Sequence, residues 1–157
     1  MVFGHVAVAV VAKKAAPKVS LGILLVAAEA LDILWGVLLL TGVEHLPPSV
    51  SPWSHGLLMA VIWSLVGGLV AARLSHDRRT GVLIGLVVFS HWILDFISHP
   101  MWPSTQPDLP LLFRGSPTVG LGLWRSRGGE IAGELSLLAF SVVMYVVDRR
   151  QRRRAGS

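Results

Sequence analysis

Long apolar runs separated by short basic clusters set the pattern of this chain. Leu21–Thr41, His55–Ala72, Gly81–Ser98 and Ile131–Val147 are apolar almost throughout. At a helical rise of 1.5 Å per residue each reaches, or nearly reaches, the ~30 Å of a hydrocarbon layer. Residues 2–12, "VFGHVAVAVVA", are as apolar but too few to span, and predict a half-length helix entering from its lysine side. The pattern predicts an all-α, polytopic membrane protein: a bundle of four transmembrane helices plus an N-terminal half-helix. Residues 1–148 form a single membrane-embedded domain, and 149–157 a basic cytoplasmic tail.

Composition agrees. Of 157 residues, 53% are hydrophobic and only 15% charged, against roughly a quarter charged in soluble domains. The net charge of +5 would suit nucleic acid, but its placement argues otherwise. Lys13, Lys14 and Lys18 precede one apolar run, Arg73, Arg78 and Arg79 lie between two others, and Arg149, Arg150, Arg152, Arg153 and Arg154 follow the last. That is the positive-inside pattern, whose partner is anionic lipid on the cytoplasmic side, and little soluble surface is left for nucleic acid. Both ends of the chain then face the cytoplasm, and the loops at 42–54 and 99–128 face outward. The first apolar stretch has its lysines after it, unlike a cleavable signal peptide. With no cysteine, any metal must be held by histidine and carboxylate.

Ionisable residues interrupt the apolar runs at matched heights. Counted from the basic anchors, Asp32 stands ~21 Å up, His91 ~18 Å, Asp95 ~24 Å, Glu134 ~22 Å and His55 ~27 Å. Glu29 lies a turn below Asp32 at ~16 Å, and His5 ~12 Å above Lys13. In "FSHWILDFISHP" (Phe89–Pro100), His91, Asp95 and His99 recur every four residues and share one helix face. A single charge at the bilayer centre costs ~2.5–3.5 kcal/mol, so several at one depth must converge on something that neutralises them. A divalent cation does so, and imidazole with carboxylate suits Zn²⁺, Mn²⁺ or Fe²⁺. His99, at the membrane surface before Pro100, is as suited to a helix-end role as to ligation. Gly67 and Gly68 predict close helix contact, and the tryptophans read as belt and packing residues.

The order His5, Asp32, "SH" at Ser54–His55 and His91-x3-Asp95, with "DLPL" at Asp108–Leu111 and "GLGLW" at Gly120–Trp124, resembles the LexA-binding, inner-membrane-associated hydrolases. These are also described as membrane-bound metal-dependent hydrolases and are distantly grouped with zinc-dependent phospholipase C and the single-strand-specific zinc nucleases. The resemblance covers nearly the whole chain. It implies a bacterial inner membrane and a first ion held by Asp32, His55, His91 and Asp95. A second would lie between Asp95, His5 and either Glu29 or Glu134, so the site is mono- or binuclear. In the soluble relatives the N-terminal amine is a ligand; here Met1 precedes His5.

The expected activity is therefore metal-dependent hydrolysis of an ester, favouring a phosphoester, in or near the outer leaflet. Glu134 or Glu29 would take the proton, each being alternatively a ligand or a partner orienting a histidine. Arg114, Arg125 and Arg127 of the outer loop would hold an anionic, lipid-like substrate, with His99 close by. There is no Gly-x-Ser-x-Gly and no phosphate loop. The alternative is a small transporter or permease component, the same cluster binding a translocated metal or relaying protons. Four short helices would need a homo-oligomer for that. Haem ligation by His91 is a third option that the clustered carboxylates oppose.

Overall fold

The computed structural model describes residues 2–45, 51–104 and 106–155. Met1 and the last two residues of the basic tail lie outside the described residues, as do the side chains of Arg152, Arg153 and Arg154. The fold is all-helical: α1 (Val2–Ala15), α2 (Leu21–Ala28), α3 (Ala30–Leu40), α4 (Leu57–Ser75), α5 (Arg78–Ser98) and α6 (Arg127–Ala155). A single two-stranded antiparallel ladder, Leu109–Pro110 with Thr118–Val119, stiffens the long loop before α6.

Among the described residues three helices, α4, α5 and the Arg127–Gln151 stretch of α6, are long and apolar enough to cross a membrane. Leu65, Leu69 and Leu74 on α4 and Leu135, Val142 and Val143 on α6 are exposed, a distribution that water alone would not favour. The basic tail is helical as far as Ala155, α6 continuing through Arg149 and Arg150.

The expected single helix over Leu21–Thr41 is instead two helices, α2 and α3, meeting at 57° around Glu29. The amide of Glu29 closes α2 on the carbonyl of Leu25, and α3 restarts with the amide of Ile33 on the carbonyl of Glu29. Between them the carbonyl of Ala28 accepts from a side chain on α5, His91 Nδ1, at 2.7 Å. A side-chain donor inserted into the ladder is one of the recognised causes of a sharp bend.

The α4–α5 hairpin turns on two residues. His76 closes α4 in the left-handed conformation, φ 53°. Asp77 opens α5, its carboxylate accepting from the amides of Arg79 (3.1 Å) and Thr80 (3.0 Å) and from the Thr80 hydroxyl (2.7 Å). This cap starts α5 three residues before the expected Gly81, so Arg78 and Arg79 join the helix. The two helices then touch backbone to backbone. A Cβ on Gly81 would lie 2.5 Å from Ala72 Cβ and 2.7 Å from the Gly68 carbonyl, and one on Gly85 would lie 3.0 Å from the Ser64 carbonyl.

Helix α1 packs against α2, α5 and α6, with Ala9, Leu24, Leu31, Val87 and Val88 forming the core among them. Its lysine end lies with the ends of its neighbours: Lys13, Leu21, Tyr145 and Arg149 line one cleft. At the opposite end of α5 the "GLGLW" loop caps the helix. The amides of Leu121, Leu123 and Trp124 meet the carbonyls of Phe96, Ile97 and Ser98, and that of Gly122 meets His99. These groups have no partner within the helix, so the loop supplies them. Gly120 must be glycine, since a Cβ there would collide with the His99 carbonyl.

Candidate metal centre

Each candidate ligand arrives on its own element. Asp32 stands in the first turn of α3, just past the bend, and His91 and Asp95 face inward one turn apart on α5. His5 comes from the first turns of α1. His55 does not lie on a membrane-length helix, as the apolar run suggested. It sits in the turn before α4, its amide bonded to the Ser51 carbonyl at 3.0 Å.

Four of these side chains point at one another. His55 Nε2 lies 3.1 Å from Asp32 Oδ1 and 3.8 Å from Asp95 Oδ2; His91 Nε2 lies 3.6 Å and 3.4 Å from the same two atoms. Donors at ~2.0–2.1 Å in a tetrahedron about one cation stand ~3.3–3.4 Å apart, a value these four distances bracket. Histidine and aspartate without thiolate suit a borderline or hard divalent ion.

The proton positions fit the same purpose. The Ala28 carbonyl can only accept, so His91 donates from Nδ1, and the neutral ring then presents the lone pair of Nε2. That Nε2 is buried without a hydrogen-bond partner among the described residues. Ser54 donates its hydroxyl to Glu44 Oε1 at 3.1 Å and therefore accepts from His55 Nδ1 at 2.9 Å, which again leaves Nε2 to face the carboxylates. A bare nitrogen among carboxylate oxygens is repulsive until a cation or a proton lies between them.

His5 adds a second set of donors. Its ring stacks on His91 with centroids 3.8 Å apart, and both its nitrogens are buried without hydrogen-bond partners among the described residues. His5 Nε2 is 3.7 Å from Asp95 Oδ1, the oxygen Asp95 turns away from His55 and His91. His5, His91 and Asp95 form one group able to hold a metal ion, and Asp32, His55 and His91 another. Access is uneven. The side chains of His5 and His91 are 1% exposed and those of His55 and Asp95 5%, whereas Asp32 is 47% exposed.

The remaining candidates fall elsewhere. Glu29 is half-buried at the α2–α3 bend, within electrostatic range of Asp32 and His91. Glu134 accepts from the Phe3 amide at 2.9 Å, which places a carboxylate at the positive end of α1, two residues from His5. His99 donates from Nδ1 to Asp108 Oδ1 at 3.1 Å, tying the long loop before α6 to the end of α5 rather than joining the cluster. Arg114 and Arg125 are exposed on that loop, whereas Arg127, expected there too, is the exposed first residue of α6 and lies over the Trp102 ring at 5.5 Å. The sequence Ser54–His55–Asp32 has the composition of a hydrolase triad. Ser54 is fully buried and its proton is committed to Glu44, so it is no nucleophile.

Two participants escape the sequence. The Ala28 carbonyl leaves no mark in it at all. Glu44, only 2% exposed, is the sole acidic residue between Asp32 and Asp77, and that isolation was the only available signal.

Fold and site together define an all-helical chain with membrane-length apolar helices and a buried His/Asp group able to hold a metal ion. Searches against protein-family models, curated proteins and solved structures find no match.

Proposed function

We propose that this protein is a membrane-embedded, metal-dependent hydrolase of an ester, most favourably a phosphoester, presented at the outer leaflet of a bacterial inner membrane. The observation that carries the proposal is the convergence of Asp32 Oδ1, His55 Nε2, His91 Nε2 and Asp95 Oδ2 at 3.1–3.8 Å, with both imidazoles already committed at Nδ1. These four would hold one divalent ion, Zn²⁺ first and Mn²⁺ or Fe²⁺ as alternatives; His5 and the outer oxygen of Asp95 would hold a second. A bound ion supplies Lewis acidity, which acidifies water and polarises the ester.

The chain's own residues would do the rest. Burial of His5, His55, His91 and Asp95 excludes bulk water from three sides. The exposed edge of Asp32 leaves one approach, which suits attack from one side better than passage through the bundle. Glu29, half-buried beside that edge, is placed to take a proton. Glu134 is spoken for at the start of α1 and suits an organising role for His5. Arg114, Arg125 and Arg127 would attract an anionic headgroup. In this orientation α4, α5, α6 and the bent α2–α3 pair cross the membrane, with Lys13, Arg78 and Arg149 at the cytoplasmic face.

Elemental analysis of detergent-purified protein beside Asp95→Ala tests the proposal. Near-stoichiometric zinc, manganese or iron that is lost in the variant, followed by cleavage of vesicle-borne phosphoesters, is the expected result. Protein that binds none of these ions after reconstitution would remove the hydrolase.

A further inference from the structure

The chain Glu44–Ser54–His55 is the most completely specified polar contact outside the ring of candidate ligands. Glu44 Oε1 accepts from both the amide (2.9 Å) and the hydroxyl (3.1 Å) of Ser54, and Ser54 Oγ lies 2.9 Å from His55 Nδ1. Glu44 is 2% exposed, Ser54 0% and His55 4%, so water does not compete for these contacts. A carboxylate buried so deeply in a loop is costly unless its bonds are needed. Its own backbone is anchored too, the Glu44 amide bonding the Leu38 carbonyl at the end of α3.

We infer that Glu44, acting through Ser54, is a positioning residue that keeps the proton of His55 on Nδ1 and so presents Nε2 to the cation. The logic lies in one hydroxyl hydrogen. Ser54 owns a single proton, and an ionised carboxylate can only accept. While Glu44 holds that proton, Ser54 can offer His55 only a lone pair, and His55 must donate from Nδ1. Without Glu44 the hydroxyl is free to turn and donate to Nδ1. The imidazole proton then moves to Nε2 and blocks the ligand position. Glu44 thereby couples the loop after α3 to the ligand set, since Asp32 and Glu44 belong to the two ends of one helix–loop unit while His55 sits in the turn before α4. The inference rests on the cation site proposed above.

Zn²⁺ affinity, measured on the detergent-solubilised full chain by competition with a chromophoric chelator, tests it. Glu44→Ala should weaken binding by ~10–100-fold, the usual effect of losing a partner that orients a ligand. Ser54→Ala should fall as far. Glu44→Gln keeps a carbonyl oxygen facing Ser54 and should restore affinity close to that of the parent. A purely structural role predicts no such rescue, and the Co²⁺ absorption spectrum reads the donor set directly. Should Glu44→Ala fail to fold by circular dichroism, Glu44→Gln against Ser54→Ala carries the same contrast. Parent-like affinity in Glu44→Ala or Ser54→Ala, or a Glu44→Gln as weak as Ser54→Ala, would overturn the inference while leaving the cation site standing. A parent protein that binds none of Zn²⁺, Mn²⁺ and Fe²⁺ would overturn both.

Discussion

Removing one carboxylate from the cluster should separate cation binding from folding. Asp32 and Asp95 each lie within 3.8 Å of the same two imidazole nitrogens. Two carboxylates facing the same pair of nitrogens repel each other, by a few kcal/mol at an effective dielectric of about 20. The cluster can relieve that repulsion with a divalent cation, or with protons on its imidazoles. If the cation is the intended solution, Zn²⁺ at about a hundred times its dissociation constant stabilises the fold by ~2.7 kcal/mol. For a chain of this size that is a rise of roughly 5–10 °C in the melting temperature, at 2–4 °C per kcal/mol. Asp95→Asn preserves the volume of the buried side chain and takes away both the charge and the shared ligand, so it should melt at one temperature with and without Zn²⁺. Melting in detergent, followed by circular dichroism with Zn²⁺ or with chelator, reads both. An equal shift in parent and Asp95→Asn would place the ion elsewhere. No shift in the parent would leave protons as the balancing charge and refute the argument from geometry.

Two further outcomes test the scaffold. Gly81→Ala forces a methyl against Ala72 and the Gly68 carbonyl, and should cost ~1–3 kcal/mol, the usual range for overpacking; because α5 also carries His91 and Asp95, Zn²⁺ affinity should fall with it, and unchanged melting and affinity would show that the hairpin is looser than its glycines imply. Hydrogen bonds from the Thr80 hydroxyl and the Arg79 and Thr80 amides hold the Asp77 carboxyl below its usual range. A lowered folded value means stability that is present above the unfolded value of ~3.9 and is lost as pH falls through the folded one; acid melts should therefore part Asp77→Asn from the parent above that range and converge below it, and parallel curves would dismiss the cap.

What the sequence made legible follows from where polar residues are costly. An aspartate or histidine inside an apolar helix has few reasons to be there, so counting heights along the runs brought Asp32, His55, His91 and Asp95 into one slab, and the structure sets both histidine nitrogens within 3.1–3.8 Å of both aspartates. His91 and Asp95 were the clearest, because a four-residue spacing on a continuous helix fixes their common face. The same count misread two elements. Leu21–Thr41 is apolar enough to look unbroken, and its bend at Glu29 depends on the Ala28 carbonyl serving His91, sixty-three residues away. A contact of that range leaves no local periodicity. His55 seemed to begin a helix because the apolar run begins there, yet Gly56 starts the helix only after it and frees the ring to face Asp32. Glu134 shows the converse limit. Its height matches the cluster, but height fixes only one of three coordinates, and the structure spends its carboxylate on the Phe3 amide. Depth thus selects candidates, whereas the hydrogen bonds at the far nitrogens of His55 and His91 select ligands. Those bonds come from a main-chain carbonyl and from a loop serine held by Glu44, which is why the candidate ligands could be read from the chain and their orientation could not.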